Sequence, residues 1–270
     1  MNSLEDIRFL YKPVQPTVRA SDKSVSYRQI LPAPKLQNFI YCYWQLKTEN
    51  QLDAPFNYRV VADGCIDVFF ELTRPNESFV MGFCKKYTEF PLASSFNYVG
   101  IRFFPTMFPQ LFKIDAQTLS NRFENLDLVV PDLSAFIETQ LDERLNLEKI
   151  KSKLDDYFLN LLPKVAFNND SRLYDAIEII LKNFGVLNLQ KDLNTGISHR
   201  QLRRLFQFYI GDSPKTFSKV VQFQNILIAK PSSQSLKYHK LFYDHGHFDQ
   251  AHFIKDFKNF YGVTPSKAFR

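Results

Sequence analysis

The sequence predicts an α+β chain: a β-rich N-terminal domain ending in helices over residues 1–164, then an all-α domain over residues 165–270 with two helix-turn-helix units. Three observations predict it. Short runs rich in Val, Ile, Phe and Tyr, separated by turn residues, fill the stretch from Tyr27 to Leu126. Residues 198–215 (SHRQLRRLFQFYIGDSPK) and 249–266 (DQAHFIKDFKNFYGVTPS) are two copies of one pattern, offset by 51 positions. Charge divides at the same place. Residues 165–270 hold 15 Lys+Arg against 8 Asp+Glu, whereas residues 1–164 hold 19 against 20, so all of the net +6 lies with the repeat. A basic unit joined to a near-neutral one is the electrostatic footprint of a nucleic-acid module with a partner domain of another kind.

Taken in order, residues 1–24 are polar with scattered prolines and read as a loose lead-in. The runs 40–46, 59–72, 78–83 and 98–104 alternate or cluster apolar residues over strand-like lengths, and Asp63-Gly64 between two of them predicts a hairpin turn. Several strands at this spacing argue for a small barrel or sandwich. Tyr43, Trp44, Phe69, Phe103 and Phe104 lie on alternating strands and are candidate walls of a pocket for a small apolar or aromatic ligand. Filling of a solid core is the equal alternative for all five. In residues 132–162, Leu147, Ile150, Leu154, Tyr157 and Leu161 step by 3 and 4 along one helix face, preceded by Leu133, Phe136, Ile137 and Leu141. This stripe either packs on its own domain or forms a homodimer seam. Pro163 and Asn168-Asn169-Asp170 mark the junction.

Seven short helices are expected after it: 172–184, 189–195, 198–210, 214–229, 236–245, 249–261 and a turn from Thr264. Each copy of the repeat opens on an N-cap residue, Ser198 or Asp249, and buries a face through Leu202/Phe206 or Phe253/Phe257. Each closes on a glycine followed by Ser/Thr-Pro. A short helix, a glycine turn (Gly196, Gly246) and a basic helix make the helix-turn-helix, whose second helix enters the DNA major groove. Leu205 also falls on the inner side of the first such helix, while His199, Arg200, Arg203 and Arg204 fall outside it. The arginine fork suits guanine O6 and N7. In the second helix Gln250 suits adenine, Ala251 a thymine methyl, and Lys255 and Lys258 suit phosphate, which positions without specifying. A rigid 214–229 helix between them would set the two helices about 34 Å apart, one DNA turn.

These residues carry a resemblance. Ser198, Arg200, Leu202, Arg204, Phe206, Gly211, Ser213 and Pro214, with Gly246, Asp249 to Phe253, Phe257 and Gly262-Val263-Thr264-Pro265, make residues 170–270 similar to the DNA-binding domain of the AraC/XylS family of bacterial regulators. Shorter pieces (Tyr43-Trp44, residues 62–67, Met81-Gly82 and residues 100–105) resemble the sensor-like domain ahead of one AraC subgroup. The resemblance implies a cupin-like barrel, double-stranded DNA as partner, a small-molecule effector, dimerisation through helices 132–162, and RNA polymerase as a further candidate partner. It also makes His252 structural rather than a base reader. Two departures stand out: Gln222 where an arginine is common, and bulky Phe242 where a small residue is common.

Other classes find little support. No apolar run approaches the roughly 20 residues of a membrane span, and the N-terminus lacks the apolar core of a signal peptide. Cys42, Cys65 and Cys84 have neither metal nor redox spacing and fit a reducing, cytoplasmic compartment. His245-Gly246-His247 lacks further metal ligands, Asp63 and Asp67 read as structural, and no cofactor or nucleophile fingerprint is present. The expectation is a sequence-specific, effector-responsive transcription regulator, not an enzyme. A ligand-binding or catalytic β-barrel with an accessory DNA domain is the rival, and an architectural DNA binder the third reading.

Overall fold

The computed structural model of the chain describes residues 3–16, 24–229 and 250–269. Its strands are β1 (Val25–Ile30), β2 (Ile40–Thr48), β3 (Phe56–Val60), β4 (Ile66–Glu71), β5 (Arg74–Met81), β6 (Thr88–Leu92), β7 (Asn97–Phe103) and β8 (Phe123–Asn125). Six of them form an antiparallel sheet in the order β1-β2-β7-β4-β5-β8, while β3 and β6 pair separately as a ribbon. The expected barrel takes this two-sheet form. Asp63-Gly64 turns no hairpin, because β3 and β4 belong to different sheets. Gly64, at φ +73°, instead carries the chain across between them. The hairpin here is β4–β5, turned at Leu72-Thr73.

Side chains alternate across the large sheet, and the register sorts them into rows. On one face Trp44, Gly100, Phe69 and Phe79 lie side by side across β2, β7, β4 and β5. The next row is Cys42, Arg102, Asp67 and Met81. This face looks at the β3–β6 ribbon, with Phe69 and Phe90 ring centroids 5.9 Å apart. The opposite face, with Tyr43, Ile101, Val68 and Val80 in one row, meets α2 (Met107–Phe112), α4 (Pro131–Gln140) and α5 (Leu147–Leu161), while α3 (Leu126–Val129) leads into α4.

On α5 the residues Leu147, Ile150 and Leu154 are fully buried, and Phe158 joins them 5.8 Å from Phe103. Each such side chain contributes about 1.5–3 kcal/mol by leaving water. Leu147, Ile150 and Leu154 of the stripe therefore pack on their own domain, while Tyr157 and Leu161 stay half-buried at its edge.

The helical region comprises α6 (Ser171–Lys182), α7 (Leu189–Asp192), α8 (His199–Tyr209), α9 (Pro214–Ala229), α10 (Gln250–Tyr261) and α11 (Pro265–Ala268). The expected 236–245 helix, Phe242, Gly246, Asp249 and His239, His245 and His247 lie outside the described residues. The lead-in is not loose throughout. Residues Ser3–Leu10 form α1, which packs on α6. Ile7 and Tyr11 share one face at i,i+4 spacing and are both buried, with the Tyr11 ring 6.2 Å from Phe217 of α9. One continuous apolar core thus runs from the sheet's helical face into the α6–α10 region.

Candidate DNA interface and the cavity behind it

Local chemistry starts α8 where the repeat predicts. The Ser198 hydroxyl accepts from Gln201 N at 3.3 Å and the Gln201 carboxamide accepts from Ser198 N at 3.2 Å, a closed capping box. Leu202 and Phe206 are buried, with Phe206 6.0 Å from Phe217 at the start of α9. Leu205 is half-buried. His199, Arg200, Arg203 and Arg204 are all exposed, the three arginines at the i, i+3, i+4 spacing of one helix face. Arg204 borders a cleft with Asp170 and Arg172, and those two already pair with each other at 2.7 Å.

The second copy behaves alike. Phe253, Phe257, Phe260 and Tyr261 are buried, and Phe257 and Phe260 lie 5.4 and 5.2 Å from Phe223 of α9. Ala251, Lys255 and Lys258 are exposed. Gln250 begins the helix, but its side chain lies outside the described residues. His252 sits 3.6 Å from Asp256, which also pairs with Lys219 of α9 at 3.1 Å. Gln222, the departure from the usual arginine, is buried on α9. Phe217 and Phe223 are six residues apart, about 9 Å along the helix axis, so a single rigid helix seats both basic helices.

Behind them lies a cavity of about 290 Å³ between the large sheet and the β3–β6 ribbon. Of the five aromatic candidates Trp44 and Phe69 line it, joined by Leu46, Tyr58, Val60, Asp67, Phe79, Met81, Phe90, Pro91, Leu92, Tyr98 and Phe123. Tyr43, Phe103 and Phe104 do not. Tyr43 and Phe103 point to the opposite face by strand alternation, and Phe104 follows β7. The Tyr43 hydroxyl donates to Asp155 of α5 at 3.0 Å, Phe103 packs on Phe108 and Phe158, and Phe104 meets Tyr41 edge-on at 5.5 Å.

The cavity floor depends on Gly100. A Cβ there would lie 2.1 Å from the Trp44 indole, so only glycine lets Trp44 lie across β7 between β2 and β4. Sequence reasoning missed Phe79, Phe90, Tyr98 and Phe123, although Tyr98 shares strand parity with Gly100 and Phe79 pairs with Phe69.

Among the described residues of the wall, Asp67 is the one charged group. Arg102, fully buried, donates to it from Nε at 3.0 and 3.2 Å and from Nη2 at 2.7 Å, and lies 3.5 Å from Asp63. Burial pushes the Asp67 carboxyl above its ordinary range against the pull of Arg102, and the two carboxylates hold Arg102 firmly protonated. Asp63 and Asp67 are thus a structural ion cluster. Among the described residues no group of three or more His, Cys, Asp or Glu side chains is placed to hold a metal ion.

The connection between β5 and β6 joins this cavity to both basic helices. Lys85 Nζ pairs with Asp212, just past α8, at 2.6 Å. Its carbonyl accepts from Asn259 Nδ2 of α10 at 3.0 Å, and Tyr87 N donates to Asn259 O at 3.1 Å. The closing glycines, Gly211 (φ +108°) and Gly262 (φ +95°), face the same connection. A Cβ on the first would meet Phe83 at 3.0 Å, and on the second Tyr87 at 3.0 Å and Arg59 at 2.9 Å. A second tie runs through α9. Buried Gln224 accepts from Val14 N at 2.8 Å and donates to Ala62 O at 2.7 Å, while Gln15 donates to Asp63 at 2.8 Å.

A family model described as a helix-turn-helix domain matches residues 194–270. That span holds both copies of the repeat, so the residues after about 194 carry a helix-turn-helix domain. A second model, a domain of unknown function (DUF6597), matches residues 28–125, which contain the cavity strands β2 to β7. No curated protein matches the chain. Among solved structures it is similar to ToxT from Vibrio cholerae O395, at 13% identity over 92% of this chain and 98% of that chain, with a TM-score of 0.43. An apo ToxT variant from strain SCE256 matches at 11% identity, 92% and 98% coverage and a TM-score of 0.44. Wild-type ToxT bound to an unsaturated fatty acid gives 11%, 93%, 96% and 0.41. These values are too low for any residue correspondence to be carried across. The helix-turn-helix match covers α8 to α11 and the turn before them, and no described helix is long and apolar enough to cross a membrane.

Proposed function

We propose that the chain is a sequence-specific, effector-responsive regulator. In this reading residues 165–270 place α8 and α10 in successive major grooves, and a small molecule in the cavity of residues 1–164 sets how they are presented. Arg203 and Arg200 read base edges from α8. Arg204 and His199 flank them, Gln250 and Ala251 read from α10, and Lys255 and Lys258 hold phosphate. One observation carries the coupling: the β5–β6 connection joins two strands that wall the cavity and touches the turn that closes α8 at Asp212 and α10 itself at Asn259. A ligand that moves β5 against β6 therefore acts on both helix-turn-helix units at once.

The test is selection of binding sites from random duplex DNA with the full chain. Wild type should enrich two half-sites about one helical turn apart. Arg203→Ala should cost about 1–3 kcal/mol on the selected site and relax preference at one base. Lys258→Ala should weaken all sequences alike and lower the salt slope by about 1. Identical base preferences for Arg203→Ala and wild type would remove Arg203 as a base reader. Failure of wild type to enrich any sequence would overturn the function.

A further inference from the structure

The cavity has a polarity of its own. At about 290 Å³ it stands at the lower edge of the roughly 300–1,000 Å³ usual for small-molecule sites. Its wall is aromatic and aliphatic except for the phenols of Tyr58 and Tyr98, the indole N–H of Trp44, which has no hydrogen-bond partner, and the carboxylate of Asp67, and among the described residues no Lys, Arg or His lines it. Arg102 lies behind Asp67 but is shared between Asp67 and Asp63, so the buried cluster is two carboxylates to one guanidinium. Asp67 Oδ2 takes the short Nη2 contact at 2.7 Å and a share of the Nε contact, whereas Oδ1 takes the Nε contact at 3.0 Å, with the Trp44 indole N–H, short of a full hydrogen bond, as the carboxyl's other near donor. A carboxylate has about four lone-pair sites, so Oδ1 keeps accepting capacity and offers no donor.

A ligand carboxylate placed here would be buried beside a like charge, with no cation in the wall to compensate it. A ligand with a donor head meets an acceptor instead, and an ammonium also meets the faces of Trp44, Phe69 and Phe90.

We propose that the cavity takes an apolar molecule bearing a single hydrogen-bond donor head, an amine ahead of a hydroxyl, and rejects carboxylates. This rests on the effector reading of the same cavity and specifies the class of ligand. Trp44 is the sole tryptophan of the chain and lines the cavity, so its emission reports occupancy directly.

The experiment titrates the full chain with three probes that share one apolar body: 4-phenylbutylamine, 4-phenylbutanol and 4-phenylbutyrate. The expected result is a saturable change in Trp44 emission in the order amine, alcohol, butyrate, the amine on the order of tenfold tighter than the butyrate. Asp67→Asn should erase or invert that order, while the wild-type order stands as the decision should the variant fail to fold. Butyrate binding as tightly as the amine would overturn the ligand class and leave the effector cavity standing. No response to any of the three at millimolar concentration would overturn the effector reading and the class with it.

Discussion

Gln224 on α9 is where the β-rich domain and the helical region are most exposed to a single change. It is completely buried and its carboxamide holds three backbone groups from elsewhere in the chain, Val14 N at 2.8 Å, Ala62 O at 2.7 Å and, more weakly, Val14 O at 3.4 Å. Gln224→Leu keeps most of the volume and removes all three bonds, the long one to Val14 O contributing least. A buried backbone group left unpaired costs about 1–3 kcal/mol. Val14 is only partly buried, so water recovers some of its share, while Ala62 is fully buried and recovers none. The extra apolarity of leucine offsets a fraction, leaving a net loss of about 2–4 kcal/mol.

For a chain of this size that lowers Tm by roughly 4–16 °C. Calorimetry of the full chain measures it, with Asn225→Ala as the companion variant. Asn225 donates only to Val221 O of its own helix and should cost well under half as much. A Gln224→Leu protein that melts within about 1 °C of wild type, or no earlier than Asn225→Ala, would refute the tie between α9 and the 14–15 and 61–63 segments.

Two further outcomes follow from burial and charge. Cys42, Cys65 and Cys84 are all buried, and burial pushes the Cys42 and Cys84 thiols up to about 12, so a disulfide-exchange reagent should label none of the three in the native protein and all three after denaturation. Labelling of the native chain at neutral pH would contradict the packing of the cavity face. The Asp212 carboxyl would be raised by burial alone, but the bonds from Lys85, Thr216 and Ser213 N outweigh burial and hold it below the ordinary range. A carboxyl lowered in the folded state stabilises above its unfolded value and loses that contribution as pH falls through the folded one. The deficit of Lys85→Met relative to wild type, below about 1 kcal/mol for so exposed a lysine, should therefore be constant near neutrality and shrink below about pH 4. A deficit unchanged down to pH 3 would mean that Lys85 acts through its stem and not through its charge.

What was legible in the sequence follows from how local each feature is. The span Pro214–Ala229 of α9, and α8 to within one residue at each end, could be read directly, because a capping box, a closing glycine and 3.6-residue periodicity all sit within one stretch of chain. The outward arginines of α8 and lysines of α10 follow from the same period. Ile7 and Tyr11 show the same rule applied too late: two apolar residues four apart hide in a polar segment, and only their contact with α6 and Phe217 reveals α1 as structure.

The sheet was harder because strand partners are set by distant residues. Asp63-Gly64 has good hairpin chemistry, yet the flanking strands pair with β6 on one side and β5 and β7 on the other. The same non-locality divided the five aromatic candidates. Period 2 places adjacent residues Tyr43 and Trp44 on opposite faces, so both could never line one cavity, and that much was decidable from sequence. Which of the two faces would be hollow was not. It depends on the other face being filled by α2, α4 and α5, on Gly100 leaving room beneath the Trp44 ring, and on a ribbon whose strands are distant in sequence, paired from Phe56 opposite Leu92 to Val60 opposite Thr88. The one sign in the chain itself is a glycine inside an otherwise β-branched and aromatic strand, where loss of a side chain weakens the strand unless another group needs the space. In YVGIRFF that group is the indole of Trp44, and the space it takes above β7 is what keeps the cavity wall aromatic on the side that faces the ribbon.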